Sequence, residues 1–316
     1  MKNIKYLIIF CLCYSPLNIK AQTQFPLYEN GIVPGAILTN ILNDTLHGKS
    51  WLTGNDTTII KARTIMPTLT VFRPDAGKNN GIAVLICSGG SYRNVADVQE
   101  GIPAAKKLSE NGITAFVLHY RVPRSDLMEN KTTGPFQDVQ KALQFVRENA
   151  EKYQLDKNRI GIMGFSAGGH LVSSICTHPG DIYINNPKHT NLRPDFMVLV
   201  YPVISFADSL THQLSRQNLI GPDITPELVA KYSNELHVDA NTPPTYITSA
   251  IDDDIVKVQN SLLFYAALEQ AKVPSNIFLY TKGGHGFGIN NHTAEQQWID
   301  PCLQWIIKGT WKMAIQ

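Results

Sequence analysis

The chain has 316 residues, 43% of them hydrophobic, with 28 basic and 26 acidic side chains. That length and composition allow a sizeable core, in one large domain or two small ones. A formal net charge of +2 supplies no basic face for nucleic acid.

Even that small excess belongs to the N-terminus. Residues 1–21 hold three lysines and no acid, so without them the balance is 25 basic to 26 acidic. Lys2 and Lys5, a largely apolar run from Tyr6 to Cys13, and Ile19-Lys20-Ala21 before Gln22 read as a secretory signal. The expectation is an exported chain, periplasmic or secreted. The apolar run is too short to cross a bilayer, so no stable membrane span is expected once the signal is removed. Ile19, where a small residue is usual, leaves a retained anchor as the alternative. Beyond residue 21 the cysteines are Cys87, Cys176 and Cys302. Three widely spaced cysteines make no disulfide framework, although one pair is possible in an oxidising compartment. Neither Cys-x-x-Cys nor His-Glu-x-x-His occurs, so no metal and no cofactor is implied.

The elements follow in order. Residues 22–63 are mixed and turn-rich, and predict an arm of irregular chain or short strands. Leu69-Thr70-Val71-Phe72 ends at Pro74 and predicts an edge strand. Residues 81–86 form a continuous apolar run, as in a strand buried on both faces. Helical spacing over 98–111 stops at Gly112. Strands are then predicted at 113–118, 159–164, 196–201, 246–250 and 277–280, with helices at 136–153, 258–271 and 298–307. Such alternation means βαβ units: a mostly parallel central sheet with helices on both faces, in a single α/β domain over 22–316. Residues 206–241 interrupt it with polar, Pro-containing chain. They predict an insertion over the sheet's carboxyl edge, where ligands bind.

The chemistry centres on Gly164-Phe165-Ser166-Ala167-Gly168. Chance alone gives Gly-x-Ser-x-Gly in roughly one chain in ten of this length, so context decides. Here an apolar strand precedes it and a small-residue helix start follows, which is the form of a nucleophile elbow. A serine hydroxyl needs an oriented base, and in the α/β-hydrolase fold the order is Ser, then Asp or Glu, then His, each after a strand. Asp252-Asp253-Asp254 follows the strand ending at Ala250, and Gly283-Gly284-His285-Gly286-Phe287-Gly288 follows the strand ending at Tyr280. His285 is the candidate base. One of the three acids is the candidate orienter and another caps the next helix or faces solvent. For the oxyanion, one donor is the amide of Ala167, and the other comes from Gly90 or Ser91 in the loop after the first buried strand.

Other residues carry structural expectations. His170, one turn past Ser166, is expected to pack under the elbow, and His119 to lie in the core. Glu100, Arg121 and Asp138 are expected to form buried ion pairs behind the site. Trp51, Tyr92 and the 206–241 segment are candidates for a sugar platform, although aromatics at such positions more often pack.

Four stretches, Ser88-Gly89-Gly90-Ser91-Tyr92, Tyr120-Arg121-Val122-Pro123, Gly164 to Leu171, and Gly283 to Gly288, resemble bacterial α/β-hydrolase esterases of the acetyl-xylan-esterase-like type. The resemblance implies the α/β-hydrolase fold and a triad of Ser166, Asp253 and His285. Asp253 is selected because the family's acid stands three residues before a valine, here Val256. The oxyanion loop departs from the usual Pro-Gly-Gly-Gly-Tyr at Ser88 and Ser91. The expected activity is a serine esterase removing short acyl groups, acetyl foremost, from a small-molecule or polysaccharide ester. A peptidase of the same fold and a catalytically silent carbohydrate-binding protein are the alternatives.

Overall fold

The computed structural model describes residues 22–37, 51–52, 59–60 and 66–312. The signal expected at 1–21 lies outside them, as does much of the predicted arm. Among the described residues, no helix is long and apolar enough to cross a membrane.

The main sheet has eight strands: β1 (Thr23–Pro26), β4 (Thr68–Phe72), β5 (Ala83–Cys87), β6 (Thr114–His119), β7 (Ile160–Phe165), β8 (Met197–Val200), β9 (Thr245–Ala250) and β10 (Ser275–Tyr280). A separate antiparallel pair joins β2 (Trp51–Leu52) to β3 (Ile59–Ile60). The order across the main sheet is β1-β4-β6-β5-β7-β8-β9-β10. Pairing is antiparallel for β1 with β4 and β4 with β6, and parallel from β6 onward. One expectation is therefore corrected. Residues 69–72 are not an edge strand, because Thr23–Pro26 of the arm pairs alongside and becomes the edge. Pro74 lies beyond the paired register, so it did not bear on the pairing.

Alternation on each strand feeds two cores. Ala83, Leu85 and Cys87 face one core, with α2 (Gly134–Glu148), α3 (Ser166–Thr177) and α6 (Gln259–Gln270) over it. Val84 and Ile86 face the other, under α1 (Gly101–Glu110) and α7 (Ile299–Lys308). Right-handed crossovers between parallel strands require this two-sided cover. Predicted helices begin or end a few residues off. The helix expected from 98 starts at Gly101, since Glu100 turns its carboxyl into the protein instead of continuing the solvent face. The helix expected to reach Tyr153 ends at Glu148, where the Asn149 side chain bonds the Phe145 carbonyl at 2.9 Å. The 206–241 segment contains α4 (Gln213–Ile220) and α5 (Pro226–Lys231). Cys87, Cys176 and Cys302 are all free and buried, so the possible pair does not form.

Candidate active site

β7 is fully buried and delivers the chain into the elbow. Ser166 has φ +50, a left-handed conformation that costs an ordinary L-residue about 1–2 kcal/mol. The surroundings hold it there. A Cβ on Gly168 would lie 2.2 Å from the Cys87 carbonyl oxygen, and one on Gly164 would lie 2.4 Å from the Gly168 carbonyl oxygen. Only glycines let α3 start this close to the end of β5.

The serine hydroxyl lies 2.9 Å from His285 Nε2, and His285 Nδ1 lies 2.7 Å from Asp253 Oδ2. Asp253 is buried and can only accept at Oδ2, so Nδ1 carries the proton and Nε2 accepts from Ser166. The other carboxylate oxygen accepts from the amides of Ile255 at 3.0 Å and Val256 at 2.8 Å. That explains in physical terms why a residue three places on marks the acid. Asp252 is exposed and does something else: it accepts from the Gly284 amide at 2.8 Å, which holds its carboxyl below the ordinary range and shapes the histidine loop. Asp254 is exposed. Of the three acids, the structure brings only Asp253 to the imidazole. The arrangement can move a proton from the serine hydroxyl to an oriented neutral imidazole, which is what nucleophilic attack requires.

Comparison with known proteins gives the family. The family model BD-FAE matches residues 69–268. The chain belongs to the BD-FAE family of α/β-hydrolases. It is 36% identical over 217 residues to endo-1,4-beta-xylanase B of Butyrivibrio fibrisolvens, covering 68% of this chain and 34% of that protein. It is 37% identical over 214 residues to an acetylxylan esterase of Xylanibacter ruminicola, covering 66% of this chain and 42% of that one. The chain thus spans less than half the length of these relatives. Among solved structures, an acetyl ester-xyloside bifunctional hydrolase from Caldicellulosiruptor lactoaceticus superposes with a TM-score of 0.70 at 32% identity, covering 91% of this chain and 95% of that one.

In this BD-FAE chain the loop after β5 is anchored at nearly every residue. Ser88 Oγ donates to Asp97, which also bonds His119 Nδ1 at 2.6 Å. The Ser88 carbonyl accepts from Tyr120, and the Gly90 carbonyl from the Arg93 and Asn94 amides. Gly90 has φ +121, and a Cβ there would lie 2.3 Å from the Asn94 carbonyl oxygen. The Gly89 amide is taken by Glu100. The amides of Gly90 and Ser91 have no acceptor among the described residues, and the Ala167 amide lies in the first turn of α3, where no intrahelical acceptor exists.

Glu100 corrects the sequence reading. Arg121 and Asp138 do form a buried ion pair, 2.8 Å apart. Glu100 is not part of it. Its carboxyl bridges the Gly89 amide and the Tyr201 hydroxyl, the latter at 3.0 Å. The Tyr201 hydroxyl in turn accepts from the Gly288 amide at 3.1 Å, and its ring lies 4.8 Å from His285. Burial pushes Glu100 up to about 7, against the lowering pull of Gly89, Tyr201 and His285. One buried acid thus ties the oxyanion loop to the histidine loop. Its position at the end of an amphipathic stretch is the only trace of this in the sequence.

The remaining candidates pack. His170 is fully buried, stacked on Phe206 with centroids 4.2 Å apart. Its Nε2 donates to the Tyr232 carbonyl and its Nδ1 accepts from Tyr92, each at 2.9 Å. Burial lowers its pKa to about 4, so it is neutral at pH 7. Tyr92 is therefore core, not platform, and the Trp51 side chain lies outside the described residues. The Cys87 thiol is raised by burial and is inert as a nucleophile. Among the described residues, no three His, Cys, Asp or Glu are grouped to hold a metal ion.

Proposed function

We propose that this chain is an exported serine carboxylic-ester hydrolase that removes short acyl groups, acetyl foremost, from carbohydrate. The observation that carries the proposal is the hydrogen-bonded line Asp253–His285–Ser166, ending beside amides that have no internal acceptor. Similarity to an acetylxylan esterase and to an acetyl ester-xyloside hydrolase supports the acetylated sugar.

In this reading Ser166 Oγ attacks the ester carbonyl while its proton passes to His285 Nε2. The carbonyl oxygen takes the negative charge and is met by the amides of Ala167 and of Gly90 or Ser91. The carbonyl–alkoxy bond breaks, and the sugar oxygen leaves with the proton from Nε2. Water then repeats the attack on the acyl-serine, with the same imidazole as base, and releases the acid. Asp253 fixes the tautomer and balances the imidazolium. The 206–241 segment reaches the oxyanion loop through Asn218, whose Nδ2 donates to the Ser91 carbonyl, and residues 1–21 direct export.

The test is hydrolysis of p-nitrophenyl acetate and acetate release from acetylated xylan, by wild type and Ser166→Ala. Loss of both activities on the order of 10⁴-fold or more is expected in the variant. Equal rates in the two proteins refute the serine mechanism. Turnover of aminoacyl amides in preference to esters assigns the chain to the peptidases.

A further inference from the structure

The segment 209–218 runs between two parts of the catalytic arrangement. At one end Lys257 Nζ donates to the Ser209 carbonyl at 2.9 Å, and Asn260 Nδ2 to the Leu210 carbonyl at 3.1 Å. Both donors follow Asp253 in the chain. At the other end Asn218 Nδ2 donates to the Ser91 carbonyl in the oxyanion loop at 2.8 Å. The segment therefore stretches from the acid loop to the oxyanion loop, and His212 sits between the two anchors. Its ring is half-buried. It lies close enough to the triad that burial first, and then His285, hold its pKa down while Asp253 pulls it up.

The orientation of His212 is set from behind. Its Nδ1 lies 2.8 Å from Ser215 Oγ, one turn further along α4. Ser215 is fully buried, and His212 is the partner of its hydroxyl among the described residues. A buried hydroxyl must place its proton on an acceptor, so Ser215 donates and Nδ1 accepts. The neutral ring then carries its proton on Nε2. That N–H has no acceptor among the described residues, and the anchors of its segment hold His212 between the acid loop and the oxyanion loop.

We propose that His212 is a specificity-determining residue whose Nε2–H donates a hydrogen bond to an oxygen of the sugar that carries the ester. This rests on the esterase reading above. It assigns the leaving-group side of the site to the 209–218 segment, and the acyl side to the oxyanion loop. A sugar leaving group offers ring and hydroxyl oxygens to such a donor, whereas p-nitrophenol places only a flat ring and a distant nitro group there.

The experiment compares kcat/KM for acetylated xylo-oligosaccharide with kcat/KM for p-nitrophenyl acetate, on the same preparation, so that any loss of folded protein cancels in the ratio. His212→Leu fills the volume without a donor, and His212→Gln retains an N–H at similar reach. The ratio is expected to fall about tenfold in the Leu variant, the size of one lost hydrogen bond to substrate, and to stay within about threefold of wild type in the Gln variant. A ratio that changes less than about threefold in the Leu variant overturns the proposal, and so does an equal fall in both variants. Wild-type turnover of the aryl ester but not of the sugar ester overturns it as well. Failure of wild type on both substrates sinks the esterase reading beneath it, a separate result.

Discussion

Glu100→Gln tests the buried acid directly. The carboxyl accepts two donors, Gly89 N–H and Tyr201 O–H, which favour its charged form, yet burial outweighs them and raises it from 4.5 to about 7. An acid whose folded pKa is raised binds its proton more tightly in the folded state. The folded protein is then favoured below the unfolded value, and that contribution is lost as pH rises from about 4.5 through 7. Each pKa unit is worth about 1.4 kcal/mol, so roughly 2–3 kcal/mol disappears between pH 5 and pH 8. Glutamine keeps the shape and cannot ionise. Thermal melting of wild type and E100Q at both pH values isolates the effect, because every other titrating group cancels in the double difference. At roughly 2 °C per kcal/mol for a chain of this size, the variant is expected to gain about 5 °C on wild type in going from pH 5 to pH 8. A double difference under about 1 kcal/mol refutes the claim that burial dominates this carboxyl.

Asp253→Asn leaves the imidazole in the wrong tautomer and is expected to lower kcat on the order of 10⁴-fold, whereas Asp252→Asn costs under about tenfold; steady-state rates on p-nitrophenyl acetate separate the two. Gly168→Ala forces a Cβ to within 2.2 Å of the Cys87 carbonyl oxygen, so activity and melting temperature are expected to fall together. Ser91→Gly removes a side chain from a left-handed residue at φ +57 while keeping its amide; melting temperature is expected to hold or rise slightly, and an unfolding curve reports it. Asp138→Ala strands the Arg121 guanidinium, 2% exposed, and is expected to cost about 3–5 kcal/mol in chemical denaturation.

Local pattern carried much of this molecule. The apolar runs at 83–87 and 160–165 are buried on both faces because a parallel sheet covered by helices leaves them no polar side, and that is readable residue by residue. Chain order placed Ser166, an acid and His285 after β7, β9 and β10, and those side chains do meet. What stayed hidden depends on partners distant in sequence. Nothing beside Glu100 says that it bonds Gly89 and Tyr201 rather than Arg121, because the choice follows from how α1 docks on the sheet. The edge of the sheet was misplaced for a similar reason: β1 joins it from 45 residues before β4. The three acids at 252–254 are indistinguishable by type, and the Ile255 and Val256 amides and the ring at 285 single one out.

Among the described residues, seven other than glycine hold left-handed backbone angles, and four of them are Ser166 and three residues of the loops beside it, Ser91, Tyr92 and Tyr201. The other three, Gln154, His189 and Lys272, lie in turns that take no part in the hydrogen-bonded line through His285. Stability and the presentation of the serine hydroxyl are therefore separable targets in this scaffold. An engineer can relax the three remote turns freely, while smoothing Ser166 and its three neighbours would give rigidity to a site that no longer presents its alcohol.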